Sequence, residues 1–144
     1  MSNQYTNTQT PPLGVAVLIM HQNRVLLGRR LKAPMLHSWQ LPGGWVHYAE
    51  SPEQAAHRII HEFEGIHYDT LQFQTLTDNH FEEGLHSVSL YYQTQCMNPE
   101  HLELRNNQHC SDWSWVDWYD LPHPLFLPLQ LLTQSGYAPF LSKV

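Results

Sequence analysis

A glycine pair that runs into an amphipathic helix constrains this chain more than any other stretch. Residues 43–66 read Gly-Gly-Trp-Val-His-Tyr-Ala-Glu-Ser-Pro-Glu-Gln-Ala-Ala-His-Arg-Ile-Ile-His-Glu-Phe-Glu-Gly-Ile. Ser51-Pro52-Glu53-Gln54 is a good helix start: serine caps, proline suits the first helical position, and glutamine three residues on completes a capping box. Ala55, Ala56, Ile59, Ile60 and Phe63 recur at helical spacing and form a broad apolar face. The pattern predicts a helix running to Glu64 and stopped by Gly65, which tolerates left-handed geometry. Such a face needs a sheet or a second helix to cover it.

The flanking sequence supplies strands. Leu13 to Met20 is a continuous apolar run, His21-Gln22-Asn23 a turn, and Arg24 to Leu31 a second β-type run, which together predict a hairpin. Trp39-Gln40-Leu41 reads as a short strand and Pro42-Gly43-Gly44 as a break with backbone freedom. Tyr68 to Thr77 and Ser87 to Gln95 predict a second hairpin, linked by Asp78 to His86. Leu102 and Leu104 alternate within the polar stretch Asn98 to Gln108, as an edge strand would, and Ser111 to Trp118 reads as a further strand. A last helix is expected from about Leu125 to Gln134, ended by Ser135-Gly136. Strands not regularly separated by helices favour an α+β sandwich over a doubly wound parallel sheet.

With 144 residues the chain suits one domain, expected over residues 13–144 behind a polar, mobile tail at 1–12. Hydrophobic residues at 42% exclude a disordered chain, and no apolar run approaches the roughly 18 residues of a membrane span. The start of the chain has neither a basic nor an apolar leader region, so a cytoplasmic protein is expected, with no membrane partner. Cys96 and Cys110 make no CxxC pair and are read as free thiols. A formal net charge of −6, and no basic stripe beyond Arg29-Arg30-Leu31-Lys32, exclude a nucleic-acid polymer as partner. A nucleotide stays compatible, because bound metal neutralises phosphates.

Gly44, Glu50, Arg58, Glu62, Gly65 and Ile66 fall on the spacing of the Nudix box, so the stretch resembles the signature of the Nudix hydrolase family. Trp39-Gln40-Leu41-Pro42-Gly43-Gly44 is similar to the family's lead-in. Asp112-Trp113-Ser114-Trp115-Val116-Asp117-Trp118, Asp120-Leu121-Pro122, Leu125-Phe126 and Gln134 to Phe140 resemble the carboxy-terminal half of MutT-related nucleoside triphosphate diphosphatases. The resemblance implies an α/β/α sandwich with a central mixed sheet and, in that subfamily, a homodimer. It implies hydrolysis of the diphosphate linkage of a nucleoside diphosphate derivative, assisted by Mg²⁺ or Mn²⁺, because a metal neutralises phosphate oxygens and lowers the pKa of bound water.

Residue by residue, the resemblance gives Glu50, Arg58 and Gly65 structural roles, and Glu62 with the carbonyl of Gly43 to the metal. The family places glutamates at three positions that here are Ile59, Glu62 and Phe63, so one box carboxylate is left on the metal-facing side. On an ideal helix no neighbour takes over, since His57, His61 and Glu64 point elsewhere. His47 in the loop, as ligand or base, and Glu82 or Glu83 before the second hairpin strand are the outside candidates, each with the plain alternative of a solvated loop residue. Gly43, Gly44, Ser89, Phe126 and Leu129 match substrate-pocket positions, although Phe126 and Leu129 suit a helix core equally well, and Pro128 removes a backbone donor from that segment. Three readings stay open: a weakened nucleotide diphosphatase, a catalytically silent nucleotide-binding sensor, and a sugar-nucleotide hydrolase of the GDP-mannose type.

Overall fold

The apolar runs pair as their pattern demands. The structure is a computed structural model that describes residues 10–139; most of the expected tail, and Phe140 of the carboxy-terminal pattern, lie outside the described residues. Strands β1 (Leu13–His21) and β2 (Arg24–Arg30) form the first hairpin, with Met20 opposite Val25. The chain continues through β3 (Trp39–Gln40), β4 (Gly43–Trp45), α1 (Pro52–Ile60), β5 (Gln72–His80), β6 (His86–Gln95), β7 (Cys110–Asp117) and α2 (Leu127–Gln134). The strands make one mixed sheet in the order β3-β2-β1-β6-β5, with β4 also on β1 and β7 on β2. β1 and β6 run parallel, from Leu13 beside Val88 to Met20 beside Gln95, and the other pairings are antiparallel.

Alternation along β1 divides the core in two. Val15, Val17 and Ile19 meet Ala55, Ala56, Ile59 and Ile60 of α1 on one face. Leu18 and Met20 meet Leu129 and Leu132 of α2 on the other. Each of these large side chains contributes about 1.5–3 kcal/mol by leaving water, so both helices are held by the sheet they cover. The result is the expected α+β sandwich, with α1 and α2 on opposite sides.

Four local expectations are corrected. The first helix ends at Ile60, not Glu64, because its last turn tightens: Glu62 N–H donates to the Ile59 carbonyl at 3.2 Å and Phe63 N–H to the Ile60 carbonyl at 3.1 Å. Gly65 still supplies the left-handed residue, at φ +81°. Gly43–Trp45 is a strand and not a break, since it pairs with Gly14 to Ala16, a partner distant in sequence. The second hairpin is shifted: β5 begins at Gln72 and reaches His80, so only residues 81–85 are loop, while Tyr68 makes an isolated bridge to Cys96. The stretch 98–108 holds a 3-10 turn at Pro99–His101 and no strand. There Asn98 ties the chain across, accepting from His67 N–H at 2.9 Å and donating to the Gly65 carbonyl at 2.9 Å.

Candidate functional site

The loop between β4 and α1 is set by one ion pair. Arg58 donates from Nε to Glu50 Oε2 at 2.8 Å and from Nη2 to Glu50 Oε1 at 3.0 Å, and Nη2 also reaches the Trp45 carbonyl at 2.8 Å. Glu50 Oε1 accepts the His47 N–H at 3.0 Å, and Glu50 N–H donates to the His47 carbonyl at 3.0 Å. Ala49 is left-handed at φ +64°, a conformation that this ring of contacts holds. The Arg58 hydrogen bonds, seconded by the His47 amide, bring Glu50 down to about 2. The loop therefore enters α1 on a fixed path, closed by the Ser51 and Gln54 capping box.

That path places Gly43 and Glu62 on one narrow cleft, lined also by Gln40, Pro42, Phe63, Asn107, His109 and Trp113. Glu62 is exposed as a residue, yet desolvation on the cleft wall raises its carboxyl above the ordinary value, with Arg58 opposing. Burial, then the charges of Lys32 and Arg30, hold His109 below the usual imidazole value, which favours the neutral ring. Trp113 Nε1 is buried with no protein partner.

Ile59 and Phe63, at the positions where the resemblance implies glutamates, belong to the core. Ile59 is 1% exposed and sits 3.8 Å from where a Cβ on Gly44 would stand. Phe63 is 5% exposed, its ring edge-on to Trp113 with centroids 4.9 Å apart. Gly43 is required by space, because a Cβ there would come within 2.9 Å of the Val15 carbonyl oxygen.

The remaining expected residues fall elsewhere. His47 is exposed on the loop and does not line the cleft. Glu82 and Glu83 are exposed at the β5–β6 turn. Ser89 Oγ accepts from Asn79 Nδ2 at 2.9 Å, within a polar network that includes Ser87 and, through Asn79 and Thr77, Tyr91. Leu129 is buried under the sheet. Phe126 lies beside Phe81, with the Arg30 guanidinium 3.9 Å from its ring centroid. In its segment Phe126 N–H donates to the Trp39 carbonyl at 2.8 Å, Leu127 N–H lies 3.3 Å from Met35 Sδ, and Pro128 has no N–H, so these backbone positions face inward partners.

Two features escaped sequence reasoning. His109 reaches the cleft from the chain end of the irregular 98–109 stretch, and eleven histidines gave no reason to single it out. Asp78, His80 and His86 are, among the described residues, the one set of three metal-ligating side chains whose ligand atoms lie within 4.8 Å of one another. Their signal was present as an Asp-x-His alternation, but reading it required β5 to extend past Thr77.

The family model for the NUDIX domain matches residues 10–136. The crystal structure of a MutT NUDIX hydrolase from Burkholderia pseudomallei is 26% identical, with a TM-score of 0.76 over 88% of this chain and 98% of that one. The NUDIX domain of Shewanella oneidensis NrtR, solved in complex with ADP ribose, is 27% identical, with a TM-score of 0.70 over 90% of this chain and 88% of that one. A UDP-X diphosphatase shares the fold at 21% identity and a TM-score of 0.67, over 91% of this chain and 65% of that one. No helix among the described residues is long and apolar enough to cross a membrane.

Proposed function

The chain belongs to the Nudix domain family, and from that premise we propose that it hydrolyses the diphosphate linkage of a nucleoside diphosphate derivative, slowly, at the cleft shared by Gly43 and Glu62. That shared cleft is the observation that carries the reading. The donor set fits a single Mg²⁺ or Mn²⁺: Glu62 and the Gly43 carbonyl would hold it, since such ions commonly take one or two carboxylates and complete their shell with water and substrate phosphates. It does not fit a cluster of ions, because Ile59 and Phe63 are packed in the core. When bound, the metal would neutralise phosphate oxygens and acidify water.

The chain's own groups do the rest. Arg58 and Glu50 hold the loop so that Gly43 and Glu62 keep their spacing, and Phe63 with Trp113 walls one side of the cleft. Glu62 and His109 are the proton acceptors on its lining. A second reading, nucleotide binding without turnover, is favoured by the burial of both altered box positions and by the ADP ribose complex of the NrtR domain. The carboxy-terminal resemblance supports a homodimer in either case, which sedimentation or light scattering measures directly.

The test is release of phosphate, pyrophosphate or nucleoside monophosphate from a panel of nucleoside triphosphates, ADP-ribose and UDP-sugars, with and without Mg²⁺ or Mn²⁺. Metal-dependent turnover that falls at least about 100-fold in Glu62→Gln supports the proposal. Turnover that survives this substitution removes Glu62 from the reaction. Nucleotide binding by calorimetry that is indifferent to Mg²⁺, with no product from any substrate, establishes the second reading instead.

A further inference from the structure

The β5–β6 hairpin gathers chemistry that the Glu62 cleft does not use. Asp78 and His80 occupy alternate positions of β5 and so share a face, and His86 stands directly opposite His80 on β6. On the reverse face Thr77, Asn79 and Ser87 are buried and bonded to one another: Thr77 Oγ1 donates to Asn79 Oδ1 at 2.7 Å and Asn79 Nδ2 to Ser87 Oγ at 3.1 Å. That polar ladder pins the register, because a slip of one residue would exchange the two faces. The turn is closed by Phe81 N–H donating to the Leu85 carbonyl at 2.9 Å and by Gly84 N–H donating to the Phe81 carbonyl at 3.1 Å. The two histidines are thus presented on a fixed frame.

Their rings stack, with centroids 4.1 Å apart and planes 21° from parallel. His80 Nε2 lies 3.0 Å from Asp78 Oδ2, and His86 Nε2 lies 2.6 Å from Asp78 Oδ1. Two imidazoles therefore converge on one carboxylate, each on a different oxygen. Nitrogen and oxygen ligands of tetrahedral zinc sit about 2.0–2.2 Å from the ion, which places them roughly 3.3–3.5 Å from one another. The three ligand atoms here are all within 4.8 Å of each other, so small rotations of exposed side chains would replace the two hydrogen bonds by three coordination bonds, each imidazole neutral with its proton on Nδ1. Two imidazoles with a carboxylate suit borderline ions such as zinc, whereas an all-oxygen set suits magnesium. Solvent would take the open fourth position.

We propose that Asp78, His80 and His86 form a surface site for a zinc-type divalent transition-metal ion, which clamps β5 to β6. It shares no residue with the lining of the Glu62 cleft.

The plain alternative is a hydrogen-bonded triad with no metal, and a titration separates the two. All three side chains are solvent-accessible, at 58%, 66% and 37% for Asp78, His80 and His86, so their replacement leaves the core intact. The purified 144-residue chain is titrated with ZnCl₂ by calorimetry beside His80→Gln, His86→Gln and the double variant, and Co²⁺ is followed in parallel by its visible ligand-field absorption. The expected result is one saturable Zn²⁺ per chain, weakened at least about tenfold by either single substitution and absent from the double variant. With eleven histidines in the chain, the variants are the essential control. Zn²⁺ binding that is unchanged in the double variant, or no saturable binding by the wild type, overturns the proposal.

Discussion

Introducing a carboxylate at position 59 separates a lost catalytic position from a packing position. Ile59 is 1% exposed, and its outer carbons lie 3.8 Å from the Gly44 Cβ position. Ile59→Glu removes apolar burial worth about 2–5 kcal/mol by analogy with large-to-small core changes. It also strands a carboxyl in the core, at a further penalty of about several kcal/mol if the group stays ionised. The sum, on the order of 5 kcal/mol or more, is comparable with the whole stability of a domain this size. The introduced carboxyl has a folded-state pKa above its unfolded value of about 4.3, so its deficit is smallest near pH 4 and grows as pH rises through the folded-state value. Urea unfolding followed by circular dichroism at pH 4.5 and pH 7 measures this, with Ile59→Gln as the variant whose deficit stays flat with pH. A Glu variant as stable as wild type at pH 7 that also gains Mg²⁺-dependent turnover would refute the reasoning, because position 59 would then face the metal.

Arg58→Met should remove the force that holds Glu50 at about 2. A depressed carboxylate stabilises the fold above its unfolded pKa of about 4.3 and loses that contribution as pH falls toward 2, so wild type and variant should differ most above about pH 4.3 and converge below it in acid unfolding. Gly43→Ala meets the Val15 carbonyl oxygen at 2.9 Å and should lower stability by about 1–3 kcal/mol, whereas Gly44→Ala finds nothing nearer than Ile59 at 3.8 Å and should change it by about 0.5 kcal/mol or less. Chemical denaturation of both variants checks the contrast. Glu62→Gln should raise Tm at pH 7 and not at pH 4, because a carboxyl whose folded pKa is raised loses stability as pH climbs through that value. An unchanged Tm at both pH values would contradict the desolvation of Glu62.

What the sequence made legible is what local chemistry decides. The Ser51–Gln54 capping box forms as its spacing requires, and the alternation of β1 divides the core between two helices. The first hairpin follows from its apolar runs and turn residues. Distant partners decided the features that were misplaced. Gly43–Trp45 became a strand because Gly14 to Ala16 offered it a ladder, and Phe63, beyond the end of α1 at Ile60, packs on Trp113, fifty residues further along the chain. The cleft was half legible: the family resemblance pointed to Gly43 and Glu62, whereas His109 and Trp113 reach it only because β7 lies along β2.

These contacts also show that the loop scaffold and positions 59 and 63 are held by separate sets of interactions. Glu50, Arg58 and the Trp45 carbonyl form a closed set of hydrogen bonds that makes no use of positions 59 or 63, so the loop keeps its path whatever stands there. Positions 59 and 63 meanwhile contribute to the core that joins α1 to β1 and β7. Apolar residues at these sites strengthen the same core from which buried carboxylates would subtract, so under the proposed function Glu62 is the residue on which catalysis and mere binding part company.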